Sequence, residues 1–516
     1  MSVGSVSGPR SPMSRRGSPK ATNLQGVRMS GSTANGYIDG GWVQGEGEPF
    51  EVVNPSTGDV LATVPALTIG QVDAAVDAAR RAFTDGPWSR VTARERAAML
   101  YRLADLIERD QDRLADLMID EIGTPRIVVS MMQLPLPINN LRWYGDAAIG
   151  LASGTDPWLP TTTAASSTAT RMTREPIGVV AGLAAYNFPI NIAAWKLGGA
   201  LASGCSIVLM CSPKAVLTTT ALAALVEEAG FPPGAFNFVY GPAAVAEYLC
   251  SHPSVDFVTF TGSAAVGKRI VALGAPTLKR VILELGGKSA DVVLPGADIG
   301  AIVTPSVLAW AINAGQNCGA RTRTLVHRSD YEHYINAAVG FAGAMGCGDP
   351  HDPATVVGPL VSEAQRAKVT GYVDRAVDGG AKVLVGGRAP EGAVRGYFYE
   401  PTIVVDVDSR AEIAQDEIFG PVSVVLPYDD VDEAVALAND TVYGLTSNVW
   451  GPTAEAAEVA KRIRAGTVTV NGGGPMLADH PWGGYKQSGQ GREGGVLGFA
   501  EYFETKQVLW PLDPPA

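Results

Sequence analysis

Cysteine and histidine are scarce: the chain has five of each in 516 residues. The cysteines, Cys205, Cys211, Cys250, Cys318 and Cys347, are odd in number and include no C-x-x-C pair. That pattern reads as reduced thiols in the cytoplasm rather than as a disulfide framework. No H-E-x-x-H motif or Cys/His cluster occurs, so no metal site is expected. Charge is also low, at 18% of residues, and positive charge is the rarer sign: 40 Lys and Arg against 52 Asp and Glu, a net −12. An acidic balance excludes nucleic acid and an anionic membrane surface as partners. Long apolar runs are missing too. The longest uncharged stretch, Ile177 to Trp195, is interrupted by Asn187, Pro189 and Asn191, so no membrane span is expected.

What is present points to a large soluble protein of two or three domains, since this length exceeds one ordinary core. Residues 1–36, rich in Gly, Ser, Arg and Pro, lack the apolar side chains that offset ordering entropy and read as a disordered extension. Arg15-Arg16 is followed by no apolar segment, which excludes a twin-arginine signal, and Met29 is a second conceivable start. Order is expected from Tyr37. Apolar residues recur at helical spacing from Thr68 to Arg126, predicting two or three amphipathic helices. Between Ile177 and Leu285, β-type runs at Ile177–Leu183, Cys205–Met210, Phe236–Tyr240, Phe257–Thr261 and Val281–Leu285 alternate with helical stretches at Ile190–Ser203, Leu217–Ala229, Ala243–Ser251 and Ala264–Leu273. Continuous apolar strands joined by helices predict an α/β fold, a doubly wound parallel sheet with ligands at the carboxyl ends of its strands. A second α/β domain follows. A helix at Ile299–Ala314 leads toward Cys318, with strands at Thr322–His327, Lys382–Val385, Val422–Tyr428, Ser447–Trp450 and Thr467–Asn471, and helices at Tyr331–Ala344, Val431–Asn439 and Ala454–Ala465. The expected division is a dinucleotide-binding domain of residues 37–155 and 173–285, a catalytic domain of 286–486, and a small β oligomerisation arm and tail, 156–172 and 487–516. The strand-like Thr505–Trp510 in that tail is suited to pairing with another chain.

Cys318 lies in Ile312-Asn313-Ala314-Gly315-Gln316-Asn317-Cys318-Gly319, where small residues leave room around the thiol and free backbone N–H groups. By itself a cysteine there is as well explained by packing. Glu284 ends the last strand of the first domain, where an acid can serve as general base. Asn187 follows the first strand and can donate to an oxyanion, and Glu417 precedes a later strand. Gly262-Ser263-Ala264-Ala265-Val266-Gly267-Lys268-Arg269 nearly spells a P-loop, but Arg269 stands where a hydroxyl must hold magnesium. What survives is a helix N-terminus suited to the pyrophosphate of a dinucleotide. Gly489-Gln490-Gly491-Arg492-Glu493-Gly494 matches G-x-G-x-x-G without a preceding apolar strand and reads as coincidence.

Over residues 37 to 510 the chain resembles the aldehyde dehydrogenase superfamily, on seven stretches in the family's order: 175–180, Asn187-Phe188-Pro189, Phe260-Thr261-Gly262-Ser263, 283–288, Gly315-Gln316-Asn317-Cys318, Glu417-Ile418-Phe419-Gly420-Pro421 and 481–489. The resemblance implies that Cys318 attacks an aldehyde, that Asn187 and the Cys318 N–H hold the oxyanion, that hydride leaves to a nicotinamide, and that Glu284 activates water to hydrolyse the thioester. It gives Lys196 the task of supporting the active-site loop. It places Ser263 at the pyrophosphate, Glu417 at the nicotinamide ribose, and Gly241, Gly262, Leu285 and Phe419 with them at the cofactor. Phe188, Trp195, Met476 and Trp482 would line a channel for an uncharged aliphatic or aromatic aldehyde. Family members that pass the acyl group to coenzyme A typically lack the acid at Glu284. Where the family usually carries Lys-Pro-Ser-Glu to hold the adenosine ribose, this chain has Met210-Cys211-Ser212-Pro213, which leaves NAD and NADP both open and makes Lys214 a candidate substitute. A homodimer or homotetramer is expected by likeness. Two other readings are a cysteine esterase or hydrolase without redox chemistry and a cofactor-poor relative acting as a binding protein.

Overall fold

The computed structural model describes residues 34–152, 163–165, 168–392, 395–474 and 477–511. The expected N-terminal extension, most of the 153–167 segment and Met476 therefore lie outside the described residues.

Five parallel strands form the heart of the first sheet: β1 (Val179–Ala184), β2 (Ser206–Cys211), β3 (Phe236–Val239), β4 (Phe257–Thr261) and β5 (Arg280–Glu284). Their spatial order is β5-β4-β1-β2-β3, so the winding reverses between β1 and β4. Every residue of β1 to β4 is buried. Such strands read as unbroken apolar runs because helices cover both faces, and each fully buried Val, Leu or Ile contributes roughly 1.5–3 kcal/mol. The crossover helices are α1 (Pro189–Ser203), α2 (Val216–Ala229), α3 (Ala243–Ser251) and α4 (Ala264–Gly274). Gly204 and Gly230 end α1 and α2 in left-handed conformations, as helix-stopping glycines do. Gly36–Ile38 and Gly41–Val43 add an antiparallel hairpin beyond β3. At the opposite edge Gly489–Gln490, inside the apparent G-x-G-x-x-G run, pairs antiparallel with β5. Those glycines serve backbone approach: a Cβ on Gly489 would sit 1.9 Å from the Leu283 carbonyl oxygen.

The second sheet is built on β6 (Ala290–Val293), β7 (Arg323–His327), β8 (Thr402–Val405), β9 (Val422–Tyr428), β10 (Thr446–Trp450) and β11 (Thr467–Val470). They run in parallel in the order β8-β9-β7-β6-β10-β11, with Lys382–Val385 antiparallel outside β8. β6, beside the sheet's centre, is absent from the sequence reading because Asp291 interrupts a run of only four residues. In the fold Asp291 is fully enclosed yet satisfied by Ser306, Asn448 and Trp450. β8, the helix Pro135–Ala152 and the helix α6 (Glu363–Asp378) were likewise not anticipated.

Two helix bounds are corrected. The helix α5 (Ile299–Ala311) stops before Ala314, because Asn313 and Ala314 turn to positive φ. The helix expected over Ala454–Ala465 spans Thr453–Ala460. The C-terminal strand, Phe503–Pro511, pairs antiparallel with Thr168–Pro176 on one side and has its other edge free among the described residues.

Candidate active site

The carboxyl ends of the first sheet converge on one cleft of ≈ 510 Å³. Ala184 to Asn187 after β1, Met210 to Pro213 at the end of β2, Gly241 to Ala243 after β3, Thr261 to Ser263 after β4, and Glu284 at the end of β5 line one side. Cys318, Gln365, Lys368, Glu417 and Phe419 face them from the second half of the chain.

Cys318 is carried on a strained turn. Asn313, Ala314 and Gly315 have φ of 56°, 52° and 68°, three consecutive left-handed residues, a conformation costing of order 1–3 kcal/mol at each non-glycine position. Gln316 holds the turn. Its amide nitrogen donates to the carbonyls of Asn313 and Pro359, both at 3.3 Å, and its amide oxygen accepts from Val361 N–H at 2.9 Å and Tyr186 O–H at 3.2 Å. Gly315 is required for space as well as for its dihedral, since a Cβ there would lie 2.1 Å from the Gly420 carbonyl oxygen. The cysteine loop is thereby pressed against the Glu417–Pro421 segment. Asn187 donates one amide hydrogen to the Gln316 carbonyl at 3.0 Å. A primary amide has two such hydrogens, so one remains for a substrate oxygen. Cys318 is partly exposed; desolvation and then the carboxylates of Glu417 and Glu284 push its thiol up to about 12, against the pull of the Gly319 and Cys318 N–H groups. The thiol form of Cys318 is thereby favoured over the thiolate.

Glu284 is 3% exposed, and neither of its carboxyl oxygens has a protein partner. Burial, reinforced by Glu493, holds its pKa well above the usual carboxylate range, while Lys196 and Arg492 pull the other way. Gly483 leaves room for it, since a Cβ there would lie 2.7 Å from the Glu284 Oε1. In register with Glu284 stands Thr261 of β4, whose hydroxyl accepts from Lys196 Nζ at 2.9 Å. Lys196 also pairs with Glu493 at 2.7 Å, both wholly enclosed. Lys196 therefore fastens β4 to the Glu493 segment rather than supporting the cysteine loop. A buried pair of this kind contributes little net stability, but losing one partner strands the other charge.

Glu417 rests against Gly286, where a Cβ would meet its Oε2 at 2.2 Å, and accepts a long 3.4 Å bond from Gly287 N–H. Burial raises its carboxyl to about 7 against Lys368 and Lys288. Ser263 caps α4, its hydroxyl accepting from Val266 N–H at 3.4 Å, at the cleft wall. Gly241, Gly262 and Phe419 line the cleft as well. Leu285 does not: its side chain packs where Gly267 of α4 lacks one. Phe188, Trp195 and Trp482 lie outside the cleft lining. Trp195 and Trp482 stack with ring centroids 6.3 Å apart, and the Trp482 ring reaches Gly319 beside Cys318.

The cleft suits a dinucleotide: it lies where the winding reverses, opens over the N-terminus of α4, and holds a buried carboxylate at Glu417 with spare acceptor capacity. Sequence reasoning missed Glu493, Gln365 and Lys368. Glu493 sits in the glycine run, and the other two are polar residues of α6, whose apolar spacing at Val369, Tyr372 and Val373 marks a helix but not a site.

Comparison with known proteins agrees with this geometry. The model of the aldehyde dehydrogenase family matches residues 42–508. Mitochondrial aldehyde dehydrogenase of Homo sapiens is 41% identical over 465 residues, 89% of this chain and 88% of that protein. The structure of Mycobacterium tuberculosis aldehyde dehydrogenase complexed with NAD+ is 37% identical with a TM-score of 0.90, over 94% of this chain and 100% of that one. A mutant of aldehyde dehydrogenase C from Pseudomonas syringae, in complex with NAD+ and octanal, is 40% identical with a TM-score of 0.86, over 92% and 96%. With its cysteine, glutamate and cleft inside a match that spans nearly the whole described chain, this protein belongs to the aldehyde dehydrogenase family.

Proposed function

We propose that the protein oxidises uncharged aliphatic or aromatic aldehydes to carboxylic acids with NAD(P), through a thioester on Cys318 that Glu284 hydrolyses. The observation that carries this reading is the meeting of Cys318, Asn187 and Glu284 in the cleft that the strand ends also line. The Cys318 sulfur adds to the aldehyde carbon as the thiol proton passes to solvent water, forming a thiohemiacetal oxyanion. The free amide hydrogen of Asn187 and the Cys318 N–H stabilise the oxygen that gains charge. Glu417 would hold the nicotinamide ribose and Ser263 the pyrophosphate of a dinucleotide, which would supply the hydride acceptor needed to take the thiohemiacetal to a thioester. Glu284 then takes a proton from water as the water oxygen attacks the thioester, and the carboxylic acid departs with the thiol restored. On this reading residues 37–155 and 173–285 bind the dinucleotide and 286–486 carry the chemistry.

The Trp482 ring, which reaches Gly319 and stacks on Trp195, supports an apolar substrate, and the octanal of the Pseudomonas syringae relative is of that kind. Incubation with octanal, benzaldehyde and succinic semialdehyde and either cofactor should give equal amounts of acid and reduced nicotinamide. The two uncharged aldehydes should be preferred. Acid without reduced cofactor would instead mean a cysteine hydrolase, and no turnover would mean a binding protein.

Two strand edges support a homodimer or homotetramer. β11 ends the second sheet, and Phe503–Pro511 ends the small one, exposing Val508, Leu509 and Trp510. Unpaired edges of this sort invite strand addition. Sedimentation should show an assembly that Leu509→Glu with Trp510→Glu reduces to smaller species; a monomeric unaltered protein would overturn it. Five unpaired cysteines favour the cytoplasm, and among the described residues no helix is long and apolar enough to cross a membrane.

A further inference from the structure

Asn187 is gripped from two sides. Its side-chain amide donates to the Gln316 carbonyl at 3.0 Å, and its own backbone carbonyl accepts from the Gln133 side-chain amide at 2.8 Å. That carbonyl belongs to the residue before Phe188, the N-cap of α1, so the helix ladder makes no use of it. A buried carbonyl needs a donor, and this one takes it from a side chain 54 positions away.

Gln133 is wholly enclosed. It ends a single wide turn, Val129–Gln133, which the Leu134 N–H closes on the Val129 carbonyl at 3.2 Å. Turns of this width are rare and recur at functional sites. The Gln133 amide nitrogen also reaches the Thr124 hydroxyl at 3.4 Å. Because a carbonyl can only accept, that nitrogen must face Asn187, which turns Oε1 away. Oε1 is buried without a partner. For stability alone the glutamine thus does little, since it satisfies one buried acceptor and strands another. What it secures is the place of Asn187. The helix that follows, Pro135–Ala152, adds a second tie: Asn140 donates to the Asn191 side-chain oxygen of α1 at 3.0 Å, both residues being buried. The segment is therefore fastened to both ends of the stretch Asn187–Asn191.

We propose that Gln133 is the positioning residue of the oxyanion donor: by holding the Asn187 carbonyl it aims the free amide hydrogen of Asn187 at the oxygen that gains charge beside Cys318. Gln133 does not line the cleft and acts only through Asn187. A donor of this kind works only when held within roughly 0.5 Å of its productive place. With the Gln316 carbonyl at the amide and Gln133 at the backbone, Asn187 is fixed at both ends before substrate arrives. All of this rests on Asn187 being the oxyanion donor of the proposed function.

A double-mutant cycle on kcat/KM, measured with NAD and the best of the aldehydes above, tests this. Gln133→Met keeps the length of the side chain and removes its N–H donors. It should lower kcat/KM by about 10–100-fold, below the roughly 10²–10³-fold loss expected for Asn187→Ala. NAD affinity, read by calorimetry, should stay within about twofold. In the Asn187→Ala background the same substitution should cost less than about threefold, because the group it positions is gone. A loss of similar size in both backgrounds would mean a general structural role and overturn the inference, as would a loss below about tenfold in Gln133→Met alone. Should Gln133→Met fail to fold by circular dichroism, Thr124→Val decides, since it removes the second acceptor of the Gln133 amide. It should lower kcat/KM by about two- to fivefold, and only when Asn187 is present; no change would overturn the inference. Asn187→Ala with unaltered kcat/KM would instead bring down the oxyanion reading beneath it.

Discussion

Cys318→Ala is expected to lower kcat/KM for aldehyde oxidation by at least about 10⁴-fold while NAD affinity stays within about twofold. The size of the effect follows from what the thiol supplies. Cys211, the other thiol of the cleft lining, is enclosed (3% exposed), and burial drives its thiol up. Without the covalent adduct, the carbon that must lose hydride never becomes tetrahedral on the enzyme, and Asn187 has no developing charge to stabilise. The fold should survive, because Cys318 is only partly buried and Gln316, not Cys318, ties the loop together. Stopped-flow absorbance of reduced nicotinamide reads the loss, and calorimetry reads the retained cofactor. A variant that still reduced cofactor at a tenth of the original rate would sink the mechanism.

Glu284→Gln should lower the steady-state rate by about 10²–10⁴-fold, the range for removing a general base, yet spare the first turnover. The amide is nearly isosteric but cannot take a proton from water, so the thioester accumulates. The expected record is a burst of about one reduced nicotinamide per active site followed by near-silence. The pH dependence follows from the direction of the shift. A general base acts only when deprotonated, and burial with Glu493 raises the Glu284 pKa. Its acid limb must therefore lie well above the usual carboxylate range, with kcat falling as pH drops through it. Cys318, raised to about 12, also favours high pH in acylation. The two are separated by the variant: Glu284→Gln should flatten the limb in deacylation and leave it in the burst rate. Loss of the burst together with the steady state would assign Glu284 to the first step.

Much of the first sheet was legible in the chain because strands buried on both faces need no alternation, only apolar residues between helix stops such as Gly204 and Gly230. β4 and the helix Ala243–Ser251 fall where the pattern puts them. The second sheet was harder for an equally physical reason. β6 carries Asp291, which is tolerable in a core only because three donors from elsewhere in the chain satisfy it, and no local window contains those donors.

The same division runs through the site. Residue types alone dictate which chemistry is available: a thiol among small residues, an acid at a strand end, an amide after the first strand, and no carboxylate after the second. How these groups are held and charged depends on the closed fold. It bends Asn313, Ala314 and Gly315 into a left-handed turn against Gly420, sets Asn187 on the Gln316 carbonyl, and encloses Glu284 with Glu493 and Lys196. Residue type is local, but burial, and with it the proton affinity of Cys318 and Glu284, depends on neighbours up to 209 positions away in the chain, and these exist only once both sheets have closed on the cleft.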